Sequence, residues 1–324
     1  MGGSSYDRDV GRSSSSGSFC RGSTSSNTAK SAMSSSTATK DTDPKFKRVE
    51  SKKKSPIVFA LDVTGSNIEF ARIVYDKAPM LHGQIEKQGY LKDFDICFAA
   101  VGDAYSDHYP LQVCDFKHGI ALDEQLKKLY LEGNGGGQQT ESYEVAAHYF
   151  SERCSMPNAE MPFFFFIGDE APYPSLDAAI AKKTLGLNLK QDIPSKEVFD
   201  SLFEKFKNNV YFLQNPYCGR RSEDGYTRSI RTAWQTFFNP YVQNILPVHE
   251  EKAVIDIILG AIAITSKSRD LEAYLKDMQD REQTAKRIAT VGKSLTDLSK
   301  ALVPVSHAKP TVAKSKKNSG GKRF

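Results

Sequence analysis

Asp62-Val63-Thr64-Gly65-Ser66 sets one carboxylate and two hydroxyls directly after the apolar run Ile57-Val58-Phe59-Ala60-Leu61, where a buried strand would end. Hard oxygen donors grouped in this way form one wall of a cup for Mg²⁺ or Mn²⁺. Two later segments can complete it. Gly135-Gly136-Gly137-Gln138-Gln139-Thr140 brings a hydroxyl after a flexible glycine loop, and Phe163-Phe164-Phe165-Phe166-Ile167-Gly168-Asp169 brings a second carboxylate after another apolar run. Asp62 and Asp169 together neutralise one divalent ion, and the uncharged oxygens of Thr64, Ser66 and Thr140 leave it electrophilic. An open position on such an ion can accept a carboxylate from a protein partner. Taken alone, the first segment reads equally well as a helix start, with Asp and Ser satisfying free N–H groups. The agreement of three separated segments favours the metal.

These residues need elements that deliver them to one place. Ile57 to Leu61 and Phe94 to Val101 read as buried strands, Leu111 to Phe116 as a short alternating one, and Phe163 to Ile167 as a central one. The brief link Gly102 to Pro110 permits antiparallel pairing at a sheet edge. Val210 to Leu213 and Asn244 to Val248 supply further strands, the last edge-like because of Pro247. Helical spacing follows the first strand from Ile68 to Leu81. It recurs over 120–131, from Thr140 to Phe150, from Val198 to Phe206 and over 250–265. Repeated strand-then-helix order predicts a doubly wound, mostly parallel α/β sheet with helices on both faces. Ligands of such sheets bind beyond the carboxyl ends of the strands, which is where Asp62 and Asp169 would emerge.

The three segments, in this order, resemble the von Willebrand factor type A family. Its metal-ion-dependent adhesion site reads Asp-x-Ser-x-Ser, then a distant Thr, then a distant Asp. Thr64 stands at the first family Ser and keeps the hydroxyl. The resemblance implies a Rossmann-like fold over 56–266. It implies metal ligation by Asp62, Thr64, Ser66, Thr140 and Asp169, directly or through water, and non-enzymatic binding of a partner's acidic group. The chain departs from the pattern at Glu141, after Thr140, and at Glu170, after Asp169; an inward Glu170 would take the open position itself. A second resemblance, to haloacid-dehalogenase-type phosphatases, rests on Leu61-Asp62-Val63-Thr64-Gly65-Ser66 and Phe166-Ile167-Gly168-Asp169-Glu170, and would make Asp62 a Mg²⁺-assisted nucleophile. Thr64 stands where that family needs an acid to protonate the leaving group. A third reading is a scaffold with a degenerate metal site.

Charge divides the 324 residues by region. Residues 1–55 hold 11 Lys/Arg against 5 Asp/Glu, and 303–324 hold 6 Lys/Arg and no acid, so with +6 in each tail a whole-chain charge of +5 leaves the middle at −7. An acidic body argues against nucleic-acid binding by the core and leaves the basic tails as electrostatic contacts. The Ser-rich segment 1–55 reads as disordered, 267–302 as an amphipathic helical arm packed back on the body, and 303–324 as a basic disordered tail. Five scattered cysteines, without a Cys-x-x-Cys spacing or an apolar leader, point to a cytoplasmic or nuclear setting. The apolar stretch Val254 to Ile264 is too short to span a bilayer and contains Asp256. It reads as a buried helix. Gly133 to Gly137 lacks the Gly-Lys-Ser/Thr of a phosphate loop, and the six histidines lack zinc spacing. Arg220, Arg221, Arg228 and Arg231, interleaved with Tyr217, Tyr226 and Trp234, read as a solvated loop.

Overall fold

Strand β1 (Val49–Glu50) leads into β2 (Ser55–Asp62), helix α1 (Ile68–Gln88) and β3 (Phe94–Val101) in a computed structural model that describes residues 40–133, 140–219 and 224–302. Then come β4 (Leu111–Val113), α2 (Ala121–Leu126), β5 (Thr140–Glu141), α3 (Tyr143–Arg153) and β6 (Cys154–Ser155). The central strand β7 (Phe163–Gly168) precedes β8 (Ala171–Pro172), β9 (Ser175–Leu176), α4 (Ala178–Leu185) and β10 (Ile193–Pro194). Helix α5 (Ser195–Lys205), β11 (Val210–Gln214), α6 (Gly225–Phe238) and β12 (Ile245–Pro247) complete the sheet. Helices α7 (Val254–Thr265), α8 (Leu271–Asp280) and α9 (Ala285–Leu302) follow.

The main sheet has six strands in the order β12-β11-β7-β2-β3-β4, parallel throughout except for the antiparallel edge strand β4. The doubly wound architecture is the one expected from the strand-helix alternation. Successive side chains point to opposite faces of a strand, and the run of four phenylalanines is divided accordingly. Phe163 and Phe165 join Phe59 and Tyr211 under α1 and α7, while Phe164 and Phe166 join Phe212 and Trp234 under α3, α5 and α6. Both cores are rich in ring stacking: Phe59 lies 5.2 Å from Phe165 on one face, and Trp234 lies 3.9 Å from Phe212 on the other.

Several local expectations are corrected. The helix expected over 120–131 is only α2, because the Gln112 side chain accepts from Tyr130 N–H and donates to its carbonyl, both at 2.9 Å, holding the chain extended where Leu129 and Leu131 enter the core. Thr140 does not begin a helix: it lies in β5, which pairs in parallel with β8. The Arg/Tyr stretch expected as a loop contains α6, whose start the Asp224 side chain caps at Tyr226 N–H. Thr227, Ile230, Trp234 and Phe238 form its buried stripe, so the helical period lay beneath the conspicuous charges. Arg220 and Arg221 lie outside the described residues.

The segment 1–55, expected to be disordered, is ordered from residue 40 onward. Within 40–54, Val49 and Ser51 are buried, β1 pairs with β6, and Arg153 donates to the Pro44 carbonyl at 2.7 Å. Lys53 and Lys54 are paired with Asp93 and Glu160, each at 2.8 Å, and are not a free basic run. Residues 1–39 and 303–324 lie outside the described residues. The amphipathic arm does pack back on the body, as two helices rather than one. Glu282, between them, has a left-handed φ of 59°. Tyr274, Met278, Val291, Leu295 and Leu298 cover α7, the buried helix expected from Val254 to Ile264. Among the described residues no helix is long and apolar enough to cross a membrane.

Candidate metal centre

Sheet register brings the first and third segments together. Parallel pairing of Leu61 with Ile167 lays the end of β2 against the end of β7, so Asp62 meets Gly168 and Asp169 leaves the sheet immediately beyond. The contact requires glycine: a Cβ on Gly168 would lie 1.9 Å from the Tyr143 hydroxyl and 2.9 Å from Asp62 Oδ2. Asp62 is wholly buried. Its Oδ1 accepts from Thr64 N–H at 2.9 Å and from the Thr64 hydroxyl at 2.6 Å, and its Oδ2 accepts from Tyr143 at 2.6 Å. Two residues later, Ser66 donates to Asp169 Oδ1 at 2.9 Å. Asn67, at the start of α1, donates its side-chain amide to the Asp62 carbonyl at 2.9 Å, which fixes the loop between β2 and α1.

The second segment arrives by backbone pairing. Thr140 pairs with Ala171 and Glu141 with Pro172, which sets β5 beside the chain that carries Asp169 and Glu170. Ser142 N–H donates to the Gly102 carbonyl, and its hydroxyl accepts from Ala104 N–H at 2.9 Å, tying the same segment to the loop after β3. Asp62, Thr64, Ser66 and Asp169 are therefore joined through side-chain hydrogen bonds in two pairs. Thr140 is placed alongside them by its strand rather than by its hydroxyl. The rest of its glycine loop, 134–139, lies outside the described residues.

Glu141 and Glu170, the departures from the family pattern, are both turned inward. They are only 2% and 3% exposed, and each leaves one buried carboxylate oxygen, Oε2, without a hydrogen-bond partner. The Glu170 carboxyl lies beside Glu141 and the Ser66 hydroxyl. Burial pushes the Asp62 carboxyl up, against the pull of the Thr64 and Tyr143 hydrogen bonds. Glu141 is driven far above the carboxylate range, first by burial and then by the charges of Asp62 and Glu170. Glu170 is raised to about 7, again mainly by burial. The Tyr143 hydroxyl is held well above its usual value by burial and by the Asp62 charge. No cationic side chain figures among the main influences on these carboxyls.

A buried group of carboxyls with no counter-charge must take up protons or a cation. The Glu141 and Glu170 carboxyls hydrogen-bond one another, and the donors of this site are all oxygen, the type that suits a hard divalent ion. Among the described residues no group of three or more His, Cys, Asp or Glu side chains could hold a metal ion. A cation here would therefore have to draw on the hydroxyls of Thr64, Ser66 and Thr140 as well as on carboxylates. Sequence reasoning missed Tyr143 as the second partner of Asp62, although its place three residues after Thr140, at the start of α3, was a usable signal.

No protein-family model matches the chain, and no curated protein matches it in sequence. Among solved structures, the pilus adhesin SpaC from Lactobacillus rhamnosus GG in its open conformation is similar over 67% of this chain and 31% of the adhesin, at 11% identity and a TM-score of 0.46. Proximal thread matrix protein 1 from the mussel byssus is similar over 66% of this chain and 49% of that protein, at 10% identity and a TM-score of 0.42. The chain thus spans about a third of the adhesin and about half of the mussel protein.

Proposed function

We propose that residues 56–266 form a von Willebrand factor type A-like interaction domain that binds an acidic group of a protein partner through Mg²⁺ or Mn²⁺. One observation carries this reading: the Ser66 hydroxyl and the Asp169 carboxylate, 103 residues apart, meet at 2.9 Å beside the Asp62–Thr64 pair at the carboxyl end of the parallel sheet. Asp62, Thr64, Ser66, Thr140 and Asp169 would hold the cation. When bound, it offers an electrophilic point that a partner carboxylate can share. Asp169 orients Ser66, Asp62 orients Thr64, and Tyr143 and Asn67 hold Asp62 itself.

Asp62 as a phosphatase nucleophile is less well supported. The residue is wholly buried, out of a substrate's reach, and Thr64 supplies no acid to protonate a leaving group. Cys97, Cys114 and Cys154 are free and buried, which suits the cytoplasm or nucleus. Calorimetric titration of Mg²⁺ and Mn²⁺ into wild type and Asp62→Ala tests the reading, with circular dichroism to check folding. Binding in wild type that is lost in the variant is expected. Equal affinity in the two proteins overturns it.

A further inference from the structure

We infer that Tyr105 and Tyr173 form the aromatic half of a docking patch for an arginine-bearing basic segment of a protein partner, with Asp177 and Asp192 supplying the opposite charge. The inference does not depend on the metal reading. Tyr105 lies in the loop between β3 and β4 and is 51% exposed, and its ring centroid stands 4.7 Å from that of the half-buried Tyr173, the residue after β8. Water thus reaches an aromatic pair contributed by two separate segments.

The pair is held in place from beneath. Oδ1 of the wholly buried Asp103 accepts from the Tyr173 hydroxyl at 3.0 Å and from Tyr105 N–H at 3.1 Å, and its Oδ2 accepts from the Ser106 hydroxyl at 2.7 Å. Tyr173 N–H donates to Glu144 at 3.2 Å, and its carbonyl accepts from the Ser195 hydroxyl at 2.6 Å. Rings fixed in this way lose little freedom when a ligand settles on them.

The surroundings of the pair are anionic. Antiparallel pairing of β9 with β10 brings the partly exposed Asp177 and the exposed Asp192 together at the start of α4, where they accept from Ala179 and Ala178 N–H. The Tyr105 hydroxyl is held above its usual value by burial and then by the charges of Asp177, Glu144, Asp103 and Asp192. Lys183, close by, donates its ammonium to the Ala104 carbonyl at 2.8 Å. A guanidinium suits such a place, since its plane stacks on an aromatic face while its N–H edge meets a carboxylate. An acidic segment would meet like charge.

The probe is an N-acetylated, C-amidated tetra-arginine peptide titrated into the full chain carrying ¹³C-labelled tyrosine. Ring resonances of Tyr105 and Tyr173, assigned with Tyr105→Phe and Tyr173→Phe, should shift on titration, should stay in place with the tetraglutamate counterpart, and should respond less as salt is raised. Calorimetry should show affinity for the arginine peptide reduced about two- to fivefold in Tyr105→Leu, which keeps an apolar side chain without a π face, and retained in Tyr105→Phe. Circular dichroism checks that both variants fold, as the exposure of Tyr105 leads one to expect. No shift with the arginine peptide, equal shifts with the glutamate peptide, or undiminished affinity in Tyr105→Leu would overturn the inference. Shifts that follow salt alone, without a response to peptide, would put one of the chain's own basic tails on the patch and overturn an external partner.

Discussion

The Tyr143 hydroxyl donates to Asp62 Oδ2 at 2.6 Å across 81 residues of sequence, and this bond places the first residue of α3 beneath the end of β2. Asp62 would otherwise carry a buried carboxylate oxygen with no donor. Tyr143→Phe should destabilise the domain by about 1–3 kcal/mol, the cost of stranding one buried charged acceptor. Urea denaturation measures this. An unchanged midpoint would show that another donor replaces the phenol.

Gly168 admits that contact. Alanine there would put its Cβ 1.9 Å from the Tyr143 hydroxyl and 2.9 Å from the Asp62 side chain, neither of which can yield without leaving the other. Gly168→Ala should cost about 3 kcal/mol through overpacking and should weaken divalent-ion binding along with stability. Thermal unfolding and calorimetry on the same sample would show both losses.

Asp107 provides a pH signature. Its carboxyl is raised to about 6, first by burial and then by the charges of Glu132, Asp103 and Asp62. The folded protein thus holds this proton more tightly than the unfolded chain, where Asp titrates near 3.9. The associated stability is fully present below about 4 and is lost as the pH rises through about 6. Asp107→Asn should remove that dependence, so that wild type loses about 1–2 kcal/mol more than the variant between pH 4 and 7. Parallel pH slopes for the two proteins would contradict it.

Gly260 sets the docking of the carboxyl-terminal helices. A Cβ at this position in α7 would lie 2.3 Å from the Leu295 side chain of α9 and 2.6 Å from the Tyr274 ring of α8, both buried. Gly260→Ala should cost about 1–3 kcal/mol, with hydrogen exchange accelerating first in 271–302. Uniform acceleration across the whole domain would instead mean that the arm and sheet unfold as one unit.

The sequence alone determined the strands that carry the site and the end of the sheet at which it lies. β2, β3 and β7 are built on apolar runs because both of their faces are covered, and Asp62 ends one of them while Asp169 follows another directly. That information is local: burial on both faces is written in consecutive residues. The basic and aromatic stretch before Trp234 shows the limit of such reading, since its helical stripe of Thr227, Ile230, Trp234 and Phe238 was masked by the charges between them. Only the tertiary structure decided that Thr140 enters on a strand, that Tyr143 reaches Asp62, and that Glu141 and Glu170 turn inward together. Each of these depends on which remote segment supplies the neighbouring backbone or donor. Residue periodicity sets the direction of a side chain relative to its own element, whereas its partners are fixed by the register and crossing of elements distant in sequence.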